Sequence, residues 1–247
     1  MDMSEQITQL DDEGRLLAAA AAEAGTDAPV PTCPGWRVRD LLRHTGTVHR
    51  WATAFVVEGH TEYVAAQDEP DLDGKELLDW FDEGHRALVA ALDTAPRDRV
   101  CWTFMPATSG SAFWARRQLH ETTVHRVDAE SALGTPYSSV DTVRALDGID
   151  ELLVGFHARA KSRVRTEDPR VLRVHAVDAD AAWTVRLSAG PPQAVRDDGG
   201  EAVADCVLSG SAEALYLMLW NRLPLSSVTV GGDEAVAGLW TENSAII

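Results

Sequence analysis

Hydrophobic residues in the first half of the chain recur at three- and four-residue intervals, in segments separated by stretches rich in proline, glycine or acidic residues. This spacing places the hydrophobic side chains on one face of an α-helix. It predicts three helices, over about residues 4–24, 38–58 and 75–95. A fourth, over about residues 112–133, is predicted from the N-cap stretch Ser109-Gly110-Ser111 and the stop signal Gly134-Thr135-Pro136. Four antiparallel helices joined by loops predict a helical bundle.

The pattern changes near residue 140. One more helix is predicted over about residues 140–161, and the runs that follow are rich in β-branched residues and typical of strands. The predicted strands cover residues 171–176, 182–187, 202–208 and 227–230, with one helix at about 212–220 and another after Asp233. The sequence therefore predicts a bundle over residues 1–139 and a smaller mixed α+β domain over residues 140–247.

Charge and composition limit the partners of the protein. The 247 residues include 39 Asp+Glu and only 22 Lys+Arg, a formal net charge of −17, and 45% of them are hydrophobic. Such a negative field repels phosphate backbones and anionic lipids, so we expect neither a nucleic acid nor a membrane as partner. The longest uninterrupted hydrophobic run, Leu16 to Ala22, is far too short for a membrane span, and the N-terminus is acidic. We expect a cytoplasmic protein.

Cysteine usage narrows the possible metal chemistry. Cys33, Cys101 and Cys206 are the three cysteines, and no two of them have C-x-x-C spacing. The chain therefore has neither a disulfide framework nor a cysteine zinc motif. A metal site would have to use histidines and carboxylates.

The most informative local pattern is His120-Glu121-Thr122-Thr123-Val124-His125 on the predicted fourth helix. Glu121 and His125 are four residues apart, so both side chains lie on one face, one turn apart. The zinc-protease motif H-E-x-x-H is absent, because the two histidines are five residues apart and His120 points elsewhere. Taken alone, Glu121 and His125 are more often an ordinary surface pair.

A third ligand is available on the predicted second helix. His44 lies there among hydrophobic residues; taken alone it would be a core or boundary histidine, and His49 a surface one. Together, His44, Glu121 and His125 offer three nitrogen and oxygen ligands inside a bundle. Three protein ligands leave a coordination position open, which is typical of a catalytic metal site.

Several stretches of the chain resemble one known family, the mycothiol-dependent maleylpyruvate isomerases. The resembling stretches are Thr32–His44, Arg116–Ala129, Ala145–Leu153, Leu208–Gly210, Leu215–Pro224 and Val230–Asp233. The resemblance spans nearly the whole chain, and its Cys-Pro-Gly-Trp and His-Glu-x-x-x-His-Arg-x-Asp-Ala elements are fairly specific. It implies a DinB-like four-helix bundle followed by a C-terminal domain similar to sterol-carrier proteins.

The resemblance also implies a ligand set and a cosubstrate. His44, Glu121 and His125 match the residues that hold a divalent metal, normally zinc, in this family. Arg222 matches an arginine that faces the cleft, which implies a catalytic and cofactor-binding role; by sequence alone it is a solvated arginine at a helix end. None of the chain's own cysteines lies in a nucleophile motif, so the reacting thiol is expected to come from a cofactor, and the resemblance implies that this cofactor is mycothiol.

The resemblance thus implies an enzyme that activates a small thiol, either for cis-trans isomerisation of a maleylpyruvate-like substrate or for S-transfer to an electrophile. The acidic composition favours an S-transferase, because a dicarboxylate would be steered better by positive potential. Two alternatives remain: a non-catalytic protein that binds an apolar ligand, and a metal-dependent hydrolase. Two histidines and one carboxylate also suit divalent metals other than zinc. We expect a monomer or a homodimer.

Overall fold

The chain divides into two units in the computed structural model, which describes residues 1–197 and 203–245. The units are Met1–Ser138 and Ser139–Ile247. The sequence predicts this boundary one residue later, at 139/140. No helix within the described residues is both long and apolar enough to cross a membrane.

The N-terminal unit is a bundle of four long helices, each close to its predicted position. In it, α1 packs against α3 and α4, and α2 packs against the same two helices. The hydrophobic core includes Leu17, Leu41, Leu42 and Phe81, all fully buried. The helices are α1 (Met3–Ala24), α2 (Val38–Glu58), α3 (Gly74–Thr94) and α4 (Gly110–Ser131).

Local polar contacts fix the helix ends that matter for the site. The Arg37 backbone N–H donates to the Asp40 carboxylate at 2.8 Å, so an acidic side chain of the first turn accepts a hydrogen bond from the backbone at the start of α2. Gly59 ends α2 in the left-handed conformation, with φ of 73°. Ser109 caps α4 by accepting from the Ala112 N–H at 3.1 Å, as the sequence predicted. The helices that carry the candidate ligands therefore have defined ends.

Helix α4 departs from the amphipathic pattern of the other three. Nearly all of its residues are buried, and these include polar and charged side chains on several faces. Arg117, His120, Arg126 and Asp128 are all at most 3% exposed. Burying a charged side chain costs free energy unless that side chain is paired. The buried charged residues of α4 therefore need ion-pair or hydrogen-bond partners.

A close approach between α1 and α3 depends on a glycine. A Cβ atom on Gly14 would lie 2.1 Å from Cε1 of the buried His85 ring. Gly14→Ala is therefore expected to lower the free energy of unfolding by about 1–3 kcal/mol, despite the higher helix propensity of alanine.

Gly238 is the matched control, since a Cβ there meets no described atom within 4 Å. Gly238→Ala is expected to raise stability by about 0.5–1 kcal/mol. Urea unfolding of both variants measures whether each change lowers or raises the free energy of unfolding. Equal changes in the two variants would contradict the argument that a Cβ atom at Gly14 collides with His85.

The C-terminal unit combines helices with one sheet, in the order α5, β1, β2, β3, β4, α6, β5, α7. The predicted helix over residues 140–161 was too long: α5 (Thr142–Asp150) continues only as a π-helical turn, Glu151–Phe156. The other elements are β1 (Arg170–Ala176), β2 (Ala181–Leu187), β3 (Gln193–Asp197), β4 (Cys206–Gly210), α6 (Ala212–Leu219), β5 (Thr229–Gly232) and α7 (Glu234–Asn243). A 3-10 turn, Leu225–Ser227, precedes β5.

The strands form one mixed sheet in the order β3-β2-β1-β4-β5. Neighbouring strands are antiparallel except β1 and β4, which are parallel. Trp183 on β2 is buried and donates its indole N–H to Asp150 at 2.7 Å, which ties the end of α5 to the sheet. The fold class, a helical bundle followed by a mixed α+β domain, is confirmed.

Two strand predictions need correction. Strand β3 was not predicted, because it is a short edge strand whose residues are mostly exposed and carry little hydrophobic pattern. The strand predicted over residues 202–208 begins later, at Cys206, and Ala202 lies outside the described residues.

Candidate metal site

The structure brings His44, Glu121 and His125 together inside the N-terminal unit. One potential ligand atom from each of the three lies within 4.8 Å of the others. The Glu121 Oε1 atom is 3.5 Å from His44 Nε2 and 3.2 Å from His125 Nε2. Two imidazole nitrogens and one carboxylate oxygen therefore converge from α2 and α4, which is a donor set that suits zinc and several other divalent cations.

A buried arginine orients the Glu121 carboxylate. Arg117 lies one turn earlier on α4 and donates from Nη2 to Glu121 Oε2 at 2.8 Å. This contact occupies one carboxylate oxygen and directs the other, Oε1, toward the two imidazoles. The His44 side chain is the most accessible of the three at 34% exposed, and its Nδ1 lies 3.8 Å from Glu69 Oε1 in the loop after α2. The site therefore opens on the His44 side.

A second carboxylate orients His125. Asp128 is fully buried, and its Oδ2 lies 2.8 Å from His125 Nδ1. Its other oxygen accepts a hydrogen bond of 2.6 Å from the Thr32 hydroxyl. A carboxylate on one ring nitrogen keeps the other nitrogen, here Nε2, directed at the site, which is how histidine ligands are usually held.

The proline-rich connector between α1 and α2 covers the two histidines. The Val30 N–H donates to the Trp36 carbonyl at 3.0 Å, and Pro29 forms a short antiparallel bridge with Arg37. This turn places the Trp36 ring 5.2 Å from the His44 ring and 6.3 Å from the His125 ring, nearly parallel to the latter. Trp36 is therefore the hydrophobic wall of the site.

The electrostatics of the site favour an ionised carboxylate. Burial raises the pKa of Glu121, but His125, His44 and Arg117 outweigh it and hold that pKa well below its usual range. Burial lowers the pKa of His125, whereas Asp128 and Glu121 outweigh it and raise that pKa to about 8. A cation that binds His125 Nε2 has to displace this proton.

The remaining residues singled out in the sequence are not part of this group. His49 was expected at the surface, which is wrong: it is fully buried, and its Nε2 lies 2.9 Å from the Thr122 hydroxyl. His120 is also buried, outside the three-residue group. Arg222 lies in the C-terminal unit just after α6, where its Nη1 donates to the Trp220 carbonyl at 2.8 Å. Its catalytic and cofactor-binding role stays a prediction.

Sequence reasoning gave Arg117, Thr32 and Trp36 no role. Thr32 and Trp36 lie in the Thr-Cys-Pro-Gly-Trp stretch that carries the resemblance, and this motif was the available signal. Arg117 is four residues before Glu121, which is the spacing of an ion pair on a helix. Asp128 is fully buried, so it is a supporting group of the site and not a group on the helix surface.

Family models match both units of the chain. The model described as mycothiol maleylpyruvate isomerase N-terminal domain matches residues 7–130, and the one described as MDMPI C-terminal domain matches residues 144–239. No curated protein sequence matches the chain.

Two solved structures share the fold. The crystal structure of the mycothiol-dependent maleylpyruvate isomerase is 13% identical, with a TM-score of 0.61 over 94% of this chain and 93% of that one. A histidine-to-alanine mutant of the same enzyme is 12% identical, with a TM-score of 0.62 and the same coverage. The similarity covers both units.

Proposed function

The chain belongs to the mycothiol maleylpyruvate isomerase family of enzymes, and from this premise we propose that it holds a divalent metal, preferably zinc, and activates mycothiol as a nucleophile. The observation that carries the proposal is the convergence of His44, Glu121 and His125 within 4.8 Å. A metal held by three protein ligands keeps a position open, as catalytic sites do.

The bound cation would supply one function, stabilisation of the thiolate form of a thiol near neutral pH. The protein's own residues orient the ligands, limit the access of water and leave room for the thiol. Arg117 and Asp128 hold Glu121 and His125 in the ligating orientation, and the Trp36 ring limits access of water from its side. The exposed edge of His44 leaves room for a thiol to approach.

The thiolate sulfur is the reacting atom in both reactions that the family suggests. It adds to a conjugated double bond and leaves again after rotation, or it displaces a leaving group and stays attached. The net charge of −17 favours the second reaction, S-transfer to an electrophile that is not a dicarboxylate. In this proposal Arg222 binds a carboxylate of the thiol or of the substrate.

The proposal includes a cytoplasmic location. Cys33, Cys101 and Cys206 are all free thiols, as expected in a reducing compartment.

Metal analysis combined with a thiol-dependence assay tests the function. We expect untagged protein to retain about one equivalent of metal by plasma mass spectrometry, as a three-ligand site predicts. We also expect conjugation of electrophiles to depend on added mycothiol. Turnover without thiol would favour a hydrolase, and protein that stays metal-free after incubation with zinc would overturn the proposal.

Asp128 offers a test that leaves the three ligands in place. Asp128→Asn removes the charge that faces His125 Nδ1, so we expect metal affinity to fall about 10–100-fold, the usual effect of losing such a partner. Competition with a chromogenic chelator measures this affinity. Asp93→Asn is the control, because Asp93 is exposed on α3. Equal metal affinity in Asp128→Asn and the control would contradict the orienting role.

A further inference from the structure

A cavity of about 250 Å³ lies in the N-terminal unit between α2 and the loop that follows it. Thr47, Trp51 and Glu58 line it from α2, and they are three, seven and fourteen residues after His44. These spacings place all of them on the helix face that carries His44. Thr47 is one turn from His44, a rise of about 4.5 Å along the axis.

The loop also connects the cavity with the candidate metal site. Gln67 and Asp68 line the cavity, and the next residue, Glu69, has its carboxylate 3.8 Å from His44 Nδ1. The Trp51 indole N–H donates to the Val64 carbonyl at 2.6 Å, which fixes the loop over the cavity. The cavity therefore lies next to His44 along α2 and along the loop.

The walls of the cavity suit a flat, uncharged molecule. Trp51, Phe55 and Trp80 present aromatic surface, and Ala54 and Ala65 add small apolar patches. The volume is below the about 300–1,000 Å³ of sites for drug-sized ligands, so it fits a body of one or two rings.

The charges around the cavity disfavour anions. Glu58 and Asp68 lie at its exposed rim. The cation in the wall, Arg50, is already engaged: Nη2 donates to the Trp80 carbonyl at 2.7 Å, and the guanidinium lies 3.8 Å from the Trp80 ring centre. A carboxylate placed here would meet like charge without a free guanidinium.

One buried polar group in the wall has no partner. The Thr47 side-chain oxygen is inaccessible to solvent and makes no hydrogen bond within the described part of the chain. A water-sized probe does not reach this oxygen, so a ligand in the cavity does not bond to it in this conformation and would be held by the aromatic walls.

We propose that this cavity is the acceptor pocket of the enzyme, which takes an uncharged aromatic electrophile between its aromatic walls. The inference rests on the proposed thiol chemistry at His44, Glu121 and His125. With 1-chloro-2,4-dinitrobenzene as electrophile, the thiolate sulfur forms a bond to the ring carbon. The carbon–chlorine bond breaks, chloride leaves with the electron pair, and the thiol proton goes to solvent.

Binding of unreactive probes tests the pocket without any chemistry. We expect 2,4-dinitrotoluene to bind the full-length protein saturably in isothermal titration calorimetry, and its anionic analogue 2,4-dinitrobenzoate to bind at least about tenfold more weakly. Ala54→Leu fills the cavity from α2 and Ala65→Leu fills it from the loop. Each variant is expected to weaken dinitrotoluene binding about tenfold.

Ala87→Leu is the matched control, because Ala87 is exposed on α3 and does not line the cavity. Absence of saturable binding, equal affinity for the two probes, or unchanged binding in both Ala54→Leu and Ala65→Leu would overturn the inference. The metal content of every sample distinguishes a failure of the pocket from a failure of the proposed function, because metal content depends on His44, Glu121 and His125 alone. With metal and thiol-dependent turnover present, an unchanged KM for chlorodinitrobenzene in both leucine variants also refutes the pocket.

Discussion

Glu121→Gln is expected to remove metal from the protein and to reduce thiol-dependent turnover to background. The glutamine keeps the shape of the side chain but loses the charge on Oε1, the atom that faces both His44 and His125. Loss of an outer-shell partner costs about 10–100-fold in metal affinity, so loss of the only carboxylate in the ligand set is expected to cost more than about 100-fold. Plasma mass spectrometry after dialysis and the mycothiol-dependent assay measure the two losses.

The control for this variant is Glu23→Gln, which makes the same change on an exposed position of α1. It should retain parental metal content and turnover. Circular dichroism establishes that Glu121→Gln keeps its helices, so that a loss of metal is not a loss of fold. Full turnover in a metal-free Glu121→Gln protein would rule out metal-assisted thiol chemistry at this site.

The three-residue group itself was predictable, because helical spacing carries the necessary information. Residues four apart on one helix share a face, so Glu121 and His125 had to lie together. His44 lies on α2, and spacing along the sequence does not show which residues of α4 it meets. Its placement beside Glu121 and His125 depended on the prediction that α2 and α4 pack in one bundle. Helices α1, α2 and α3 were predictable because their hydrophobic residues follow one period over five or six turns, and α4 because a capping signal and a stop signal bound it.

The supporting contacts were not predictable, because they depend on tertiary placement. Thr32 reaches Asp128 from a connector 96 residues earlier in the chain, and no local pattern encodes such a contact. His49 was assigned to the surface because it is five residues after His44 and lies on a different face of α2, whereas its contact with Thr122 on α4 buries it. Strand β3 was missed because an exposed edge strand has no buried face to produce alternation.

Arg126→Met is expected to be the most destabilising of the single changes considered for this protein. Arg126 is fully buried in α4, and its guanidinium donates to Glu13 on α1 at 2.8 Å and to Glu130 at 2.7 Å. Burial lowers the pKa of Arg126, but Glu13 and Glu130 outweigh it and raise that pKa, so the side chain stays charged. Methionine would leave two buried carboxylates without their cation, which costs about 3–5 kcal/mol.

A matched variant and a compensated one make this prediction specific. Arg86 forms the same kind of pair with Asp82, four residues away on α3, but its side chain is 69% exposed. Arg86→Met is therefore expected to cost less than about 1 kcal/mol.

In the triple variant Glu13→Leu, Arg126→Met, Glu130→Leu no unpaired charge is left, so it should be more stable than Arg126→Met alone. Urea unfolding followed by circular dichroism gives the three free energies. If the triple variant is less stable than Arg126→Met, the carboxylates must stabilise the unit through other contacts, of which those from the Ser138 N–H and hydroxyl to Glu130 are the nearest.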